Sequence, residues 1–292
     1  MRLIVTIPAH NEEFTLGNVL DSINTLFKSN NLDGKIVVVD DGSTDKTAQI
    51  ASSKGAVVLS HPVKLGLAEA FRTEIKTCLE HGADIIIHID ADGQYLPAEI
   101  PKLLDEIEKG YSLVLGSRFL GTIEHMPLTK RVGNKLFSKV ISNITGLTIT
   151  DAQTGFRAFT REVAEKIPII STHTYTQEQV IKCARIYKVK EVPVHFAKRE
   201  GKSRLIRNPF EYAVKAWITL FRIYRDYKPL SFFGMIGGIP LLVGSLIGVW
   251  FSYNHFFMGG VKGHLLLSIF MMLLVLVGIQ IILFGFLADM KR

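Results

Sequence analysis

Two stretches near the C-terminus limit what this chain can become. Residues 230–261 and 263–288 contain no Asp, Glu, Lys or Arg. Within them, Leu230–Phe251 (22 residues) and Leu265–Ala288 (24 residues) are each long enough for a bilayer-spanning helix, which needs about 20 residues. Helices in globular cores rarely run so far without a charge, so two membrane spans are expected at about 230–251 and 265–288. These segments also explain a mean hydropathy of +0.25, high for a purely soluble chain.

Charge sets the expected orientation. Between Lys198 and Lys228 nine Lys/Arg stand against three acidic residues, and Lys291 and Arg292 follow the second stretch. The connection SYNHFFMGGVKGH holds a single Lys. By the positive-inside rule the spans form a hairpin with both termini in the cytoplasm. The opening MRLIVTIPAHNEE turns polar after too short an apolar run for a signal peptide, which agrees. A formal charge of +7 raises nucleic acid as a partner. The basic residues concentrate beside the apolar stretches, however, so membrane lipid is expected and nucleic acid is not. Ile206, Phe210, Val214, Trp217, Phe221 and Tyr224 recur at helical spacing, with Arg207, Lys215, Arg222 and Arg225 on other faces. Residues 197–228 are therefore read as basic amphipathic helix, or two short helices broken near Pro209, lying in the membrane interface. Cys78 and Cys183 are too few and too far apart for a disulfide framework or a zinc site.

Residues 1–196 read as a separate α/β domain. Strands are expected at Leu3–Ile7, Ile36–Val39, Val57–Leu59, Ile85–Ile89 and Leu113–Leu115, with helices near 14–28, 45–53, 66–81 and 97–109. Near-continuous apolar strands alternating with helices imply a mostly parallel, Rossmann-like sheet covered on both faces. In such sheets ligands bind outside the carboxyl ends of the strands. PAHNEE, DDGSTD, DADGQ and GSR follow the first, second, fourth and fifth strands, and so converge on one crevice.

DADG carries the sharpest chemistry. Asp90 and Asp92 lie at a strand end with the spacing that puts two side chains on one side, and Gln94 continues the series with a neutral oxygen. Hard oxygen donors suit Mg2+ or Mn2+ shared with substrate phosphates. Asp40 and Asp41 can accept hydrogen bonds from a nucleobase or ribose, while Asp45 suits a helix N-cap. Lys64 and Gly66 precede a helix whose N–H groups favour anions, so Lys64 reads either as a diphosphate contact or as part of a plain loop. His10, His61, His81 and His88 lack ligand spacing and read as structural or surface residues.

PAHNE, VVDDGSTD, DADGQYLP, GSR and DAQTGFRAF, in this order, resemble family 2 inverting glycosyltransferases of the GT-A fold (nucleotide-diphospho-sugar transferases). Within that family the chain is similar to the dolichyl-phosphate mannose synthase and polyprenyl-phosphate glycosyltransferase group, over roughly residues 1–204. The resemblance implies that Pro8, Asn11, Glu12, Asp40 and Asp41 hold the nucleotide. It implies that Asp90, Ala91, Asp92 and Gln94 meet the metal and the sugar diphosphate. Processive polysaccharide synthases of the family carry a Q-x-x-R-W motif, where this chain has only TQEQV, so polymer extrusion is disfavoured.

The acceptor's chemistry then selects further residues. A polyprenyl phosphate is already largely ionised near neutral pH and needs positioning against an anionic donor more than it needs a base. Arginine supplies planar, bidentate phosphate contacts. Arg118, Arg131 and Arg204 are the candidates, assisted by Lys202. Arg157 is weaker, because a structural salt bridge explains it equally well. Asp151 is placed near the acceptor by the resemblance, to orient hydroxyls or act as a weak base, with a turn cap as the alternative. Glu178 is read as a contact to sugar hydroxyls. The catalytic set is thus Asp92, Arg118, Arg131 and Asp151, and the expected donor is GDP-mannose, with UDP-glucose as the rival. Two other classes compete: a non-catalytic membrane scaffold, and a dinucleotide oxidoreductase, which the absence of G-x-G-x-x-G after the first strand opposes.

Overall fold

The structure, a computed structural model, describes residues 2–171, 175–199, 209–257 and 264–290, with side chains from 217 onward in the third of these segments. The chain folds as two compact units, 1–214 and 215–292. Lys202, Arg204 and the 200–208 part of the expected amphipathic region lie outside the described residues.

The first unit is built on a seven-stranded sheet in the order β3-β2-β1-β4-β6-β5-β7. The strands are β1 (Leu3–Ala9), β2 (Gly34–Asp40), β3 (Val57–Ser60), β4 (Ile85–His88), β5 (Leu113–Ile123), β6 (Arg157–Thr160) and β7 (Val189–Phe196). β3, β2, β1 and β4 run parallel, and β6 is antiparallel to both of its neighbours, β4 and β5. All seven residues of β1 and all four of β4 are buried, as expected for strands covered on both faces. The parallel register brings the C-terminal ends of β2, β1 and β4 to one sheet edge.

The helices cover the sheet with the apolar faces their spacing predicts. In α1 (Leu16–Ser29), Leu16, Val19, Leu20, Ile23, Leu26 and Phe27 are buried. α2 (Thr47–Ser53), α3 (Leu67–Glu80) and α4 (Ile100–Glu108) follow the next strands, with a 3-10 turn at Pro97–Glu99. Beyond the expected elements come α5 (Leu128–Thr145), α6 (Arg161–Lys166) and α7 (Tyr175–Ile186), together with β6 and β7. β5 also runs past its expected end, with a register shift between Ser117 and Thr122 against β7.

α8 (Pro209–Tyr227) is one helix with Pro209 at its first position, where a missing N–H costs nothing. α9 (Pro229–Phe257) and α10 (Leu265–Met290) have mean hydropathies of 2.0 and 2.8 and are long and apolar enough to cross a membrane. They pack on each other through glycines seven residues apart, Gly237 and Gly244 on α9 and Gly278 and Gly285 on α10. A Cβ added at Gly278 would lie 2.8 Å from the Gly237 carbonyl oxygen, so only glycine permits this approach. Apolar side chains elsewhere on both helices, such as Leu246 and Leu273, face outward.

Candidate active site

β4 ends at His88, and its carboxylates follow at once. His88 is fully buried and pairs with Glu74 of α3 at 2.7 Å, so it is structural, as expected. Two residues on, the Asp90 carboxylate lies against Gly155. A Cβ built on Gly155 would come within 2.7 Å of both carboxylate oxygens of Asp90, leaving glycine as the only residue that fits the present geometry. Asp92 turns the chain: its Oδ1 accepts the Gln94 N–H at 3.1 Å, and Gly93 takes a φ of 72°, which glycine adopts without penalty. Ala91, between the two aspartates, is buried. Burial pushes the Asp92 pKa up, and the Asp90 charge adds to it, to about 6. A carboxylate buried beside a second one forms a site that favours added positive charge.

The structure supplies two cations that sequence reasoning missed. Arg199, just past β7, donates from Nη2 to Glu12 Oε1 at 2.7 Å and places Nη1 3.5 Å from Asp92 Oδ2. It ties the turn after β1 to the turn after β4. Lys130, in the first turn of α5, was also missed in favour of its neighbour Arg131. Burial lowers the Lys130 pKa, Arg199 and Arg118 lower it further, and Asp92 opposes them, so all four groups share one electrostatic neighbourhood. Arg131 is exposed on α5.

Arg118 and Asp151 sit together. Arg118 Nε and Nη2 donate to Asp151 at 2.6 and 2.7 Å, and the Arg118 backbone N–H donates to the same carboxylate at 3.1 Å. Phe196 covers the guanidinium at 5.1 Å. Asp151 is 0% exposed, and its backbone N–H is held by Glu191 at 2.8 Å. It therefore fixes Arg118, a role outside the three considered from sequence. Asp151 takes Nε and Nη2 of the guanidinium, and among the described residues no group hydrogen-bonds Nη1.

The nucleotide candidates divide in the same way. Asn11 holds a φ of 57° and its Oδ1 accepts the Thr44 N–H at 2.8 Å, joining the PAHNEE and DDGSTD turns. Pro8 is buried in β1. Asp40 Oδ1 accepts the Ser43 N–H at 3.1 Å. Asp41 is occupied otherwise: its carboxylate accepts the N–H groups of Leu65 and Gly66, both at 2.8 Å, and meets His61 Nδ1 at 2.9 Å. Burial acts to raise its pKa, but these bonds outweigh it and bring the carboxyl below its ordinary value. Asp41 thus anchors the loop that carries Lys64, whose side chain is exposed. Glu178 is bound to the N–H groups of Ile170 and Ser171 and to Lys182, so it braces α7. Arg157 is fully buried and donates to the carbonyls of Thr154 and Thr176 and to Gln179 Oε1. These neutral oxygens stand in place of the salt bridge considered from sequence.

A divalent cation fits the residues present. Asp90 and Asp92 are hard donors, the second with a raised pKa to relieve, and the Gln94 amide spends its nitrogen on the Ala197 carbonyl at 3.1 Å. Among the described residues no group of three His, Cys, Asp or Glu gathers as a metal cage. Mg2+ and Mn2+ suit such an open site, completed by substrate phosphates.

The model of glycosyl transferase family 2 matches residues 4–168, more than half of the chain, and the chain belongs to that family. A dolichyl-phosphate hexose transferase of Haloferax volcanii is 34% identical over 71% of this chain and 87% of its own length. A UDP-N-acetylglucosamine–dolichyl-phosphate N-acetylglucosaminyltransferase of Methanococcus voltae is 31% identical over 66% of this chain and 84% of its own. A polyprenol monophosphomannose synthase of Mycolicibacterium smegmatis is 30% identical over 68% and 78%. The crystal structure of glucosyl-3-phosphoglycerate synthase from Mycobacterium tuberculosis, in complex with Mn2+, UDP and phosphoglyceric acid, matches with a TM-score of 0.60 at 22% identity. That match covers 76% of this chain and 77% of the other, and shows a shared fold.

Gly155→Ala should displace the Asp90 carboxylate and lower glycosyl transfer by ~10-fold or more while the protein stays folded, since small misplacements in a reacting site cost that much. Unchanged turnover would remove Gly155 from the site's support. Asp41→Ala should lower Tm, because it removes the acceptor of the Leu65 and Gly66 N–H groups, at about 1 kcal/mol for each hydrogen bond lost. An unchanged Tm with a raised donor KM would instead put Asp41 on the nucleotide.

Proposed function

We propose that this protein transfers a hexose, with inversion, from a nucleoside diphosphate sugar to the phosphate of a polyprenyl (dolichyl-type) lipid, and that the sugar is mannose from GDP-mannose. The observation that carries the reading is the Asp90–Asp92 pair, set among Arg118, Lys130 and Arg199, on a chain with two bilayer-length apolar helices. Carboxylates for a cation and cations for phosphates are what a reaction between two phosphate-bearing substrates requires. The relatives' names support the lipid phosphate acceptor, and the Mycolicibacterium smegmatis relative supports mannose.

In this reading an acceptor phosphate oxygen attacks the anomeric carbon, the bond to the diphosphate breaks, and the nucleoside diphosphate leaves. The phosphate is a competent nucleophile without a strong base, which agrees with Asp151 being committed to Arg118. Arg118 presents Nη1 to a phosphate, held in place by Asp151 and Phe196. Arg131, Lys202 and Arg204 are proposed to reach the acceptor phosphate. Asn11, Glu12, Asp40 and Lys64 are proposed to line the nucleotide side, with Pro8 and Ala91 shaping its floor. Asp90, Asp92 and Gln94 would hold Mg2+ or Mn2+, which when bound offsets charge on the departing diphosphate. Arg199 bridges Glu12 and Asp92 and so holds the turns after β1 and β4 together.

The proposed organisation is a catalytic domain over 1–196, a basic interfacial segment over 197–228 and a membrane hairpin over 229–292, with both termini cytoplasmic. The excess of Lys and Arg beside the apolar helices supports that orientation. A soluble donor and a lipid acceptor meet only at the bilayer surface, so the catalytic domain has to be held there.

The test supplies radiolabelled GDP-mannose, UDP-glucose or UDP-N-acetylglucosamine with a short polyprenyl phosphate, with Mn2+ or with EDTA. Mannolipid formed only with metal is the expected result. Labelled lipid from another donor would keep the mechanism and overturn mannose, and no labelled lipid from a folded protein would overturn the reading.

A further inference from the structure

Arg157 is the largest side chain that the domain buries completely, and the proposed reaction gives it no part. It opens β6 directly across the sheet from His88, beside the end of β4 where Asp90 follows. A buried guanidinium ordinarily meets a carboxylate, because taking an unpaired charge out of water is costly. Among the described residues Arg157 hydrogen-bonds to none. Its partners are the Thr154 carbonyl, the Thr176 carbonyl at 3.2 Å and Gln179 Oε1 at 2.9 Å, and its Nε has no partner. Burial draws its pKa down. Tyr175, Tyr95 and Asp90 oppose that shift, and Asp90 is the carboxylate among them.

The backbone that Arg157 holds lies against the metal-site candidates. The Thr154–Gly155 peptide is fixed from several sides. Arg157 takes the Thr154 carbonyl, the Tyr95 hydroxyl accepts the Gly155 N–H at 3.3 Å, and Thr154 Oγ1 donates to the Gly116 carbonyl at 2.7 Å. Gly155 is the surface on which the Asp90 carboxylate rests, with no room even for a Cβ between them. A shift of this peptide therefore shifts Asp90. The other end of the fork reaches α7, where Thr176 and Gln179 are buried. Only a planar guanidinium spans these three oxygens at once, since an ammonium is a single point of charge.

We propose that Arg157 is a positioning residue of the metal site, whose buried fork ties the Thr154–Gly155 peptide to α7 and so sets where the Asp90 carboxylate stands. Arg157 touches neither substrate nor cation and acts through Asp90. Its hydrogen bonds to carbonyls fix backbone, which a pair with a side-chain carboxylate would not do. The inference rests on the reading that Asp90 and Asp92 take a divalent cation, and is independent of which sugar is moved.

The test titrates Mn2+ into the full-length protein, followed by electron paramagnetic resonance, with Tm of the EDTA-treated protein measured alongside. The chains compared are the native one, Arg157→Lys, Gln179→Met, Gly155→Ala and Gly155→Ala/Arg157→Lys. Arg157→Lys keeps the charge and loses the fork. Gln179→Met removes one acceptor and leaves the arginine in place, so the test survives if Arg157→Lys does not fold. The expected result is an unchanged number of Mn2+ sites per folded chain, with Kd raised by about 10-fold or more in Arg157→Lys, as for groups that orient a metal ligand, and by less in Gln179→Met. Because Arg157 acts through Gly155, the double variant should bind no more weakly than the weaker single variant. Native affinity in both Arg157→Lys and Gln179→Met would overturn the inference. So would additive losses in the double variant, or fewer sites of native affinity, which marks a loss of folded protein alone. A native chain that takes no Mn2+ would overturn the metal reading and this inference together, whereas native binding with unaltered variants overturns this inference alone.

Discussion

Asp90 and Asp92 stand next to each other at the end of a fully buried strand, and most of the site is arranged around their mutual repulsion. Gly155 leaves room for the first carboxylate and Gly93 turns the chain behind the second. Burial and the neighbouring charge raise the Asp92 pKa to about 6. A carboxyl whose folded pKa lies above its unfolded value contributes stability that is fully present below the unfolded pKa and is lost as pH rises through the folded one. At neutral pH the pair therefore costs stability until a cation joins it. Arg199 supplies part of that charge from within the chain.

Around this pair the structure separates groups that hold from groups that remain available. Asp151, Glu191 and Phe196 immobilise Arg118, and Asp41 with His61 immobilises the 61–66 loop. Both carboxylates were candidates for substrate contact, and both are instead spent on neighbouring parts of the protein. A buried carboxylate with several N–H partners is a poor hydrogen-bond acceptor for anything else, so its role passes to the group it orients. Arg118 is that group for Asp151, and the backbone ahead of α3 is that group for Asp41.

The order of motifs made the parallel half of the sheet legible, because β1, β2 and β4 are short apolar runs ending in polar turns. β6 and β7 were not legible. β6 is four residues long and antiparallel, and β7 alternates burial and contains Pro193, so neither shows the continuous apolar run of the other strands. α5 escaped notice because its exposed Leu128, Val132 and Leu136 blur the amphipathic signal. Arg199 was absorbed into a basic stretch that neighbouring lysines and arginines explained collectively. Lys130 and Arg131 show a further limit, since adjacent helical residues point about 100° apart and only the fold decides which one faces the carboxylates. In DDGSTD, likewise, pattern alone could not say which aspartate would be consumed by a loop.

If Asp90 and Asp92 form a half-buried, charge-deficient site, it should take a divalent cation and a nucleoside diphosphate together. The most direct measurement is Mn2+ binding to the full-length protein by electron paramagnetic resonance, with and without GDP, in the native chain and in Asp92→Asn. The expected result is one bound Mn2+ per chain, tightened by GDP, weakened as pH falls below about 6 and lost in Asp92→Asn, because the proton competes with the metal for the same carboxylate. Mn2+ bound equally well by Asp92→Asn, with no response to GDP, would contradict it.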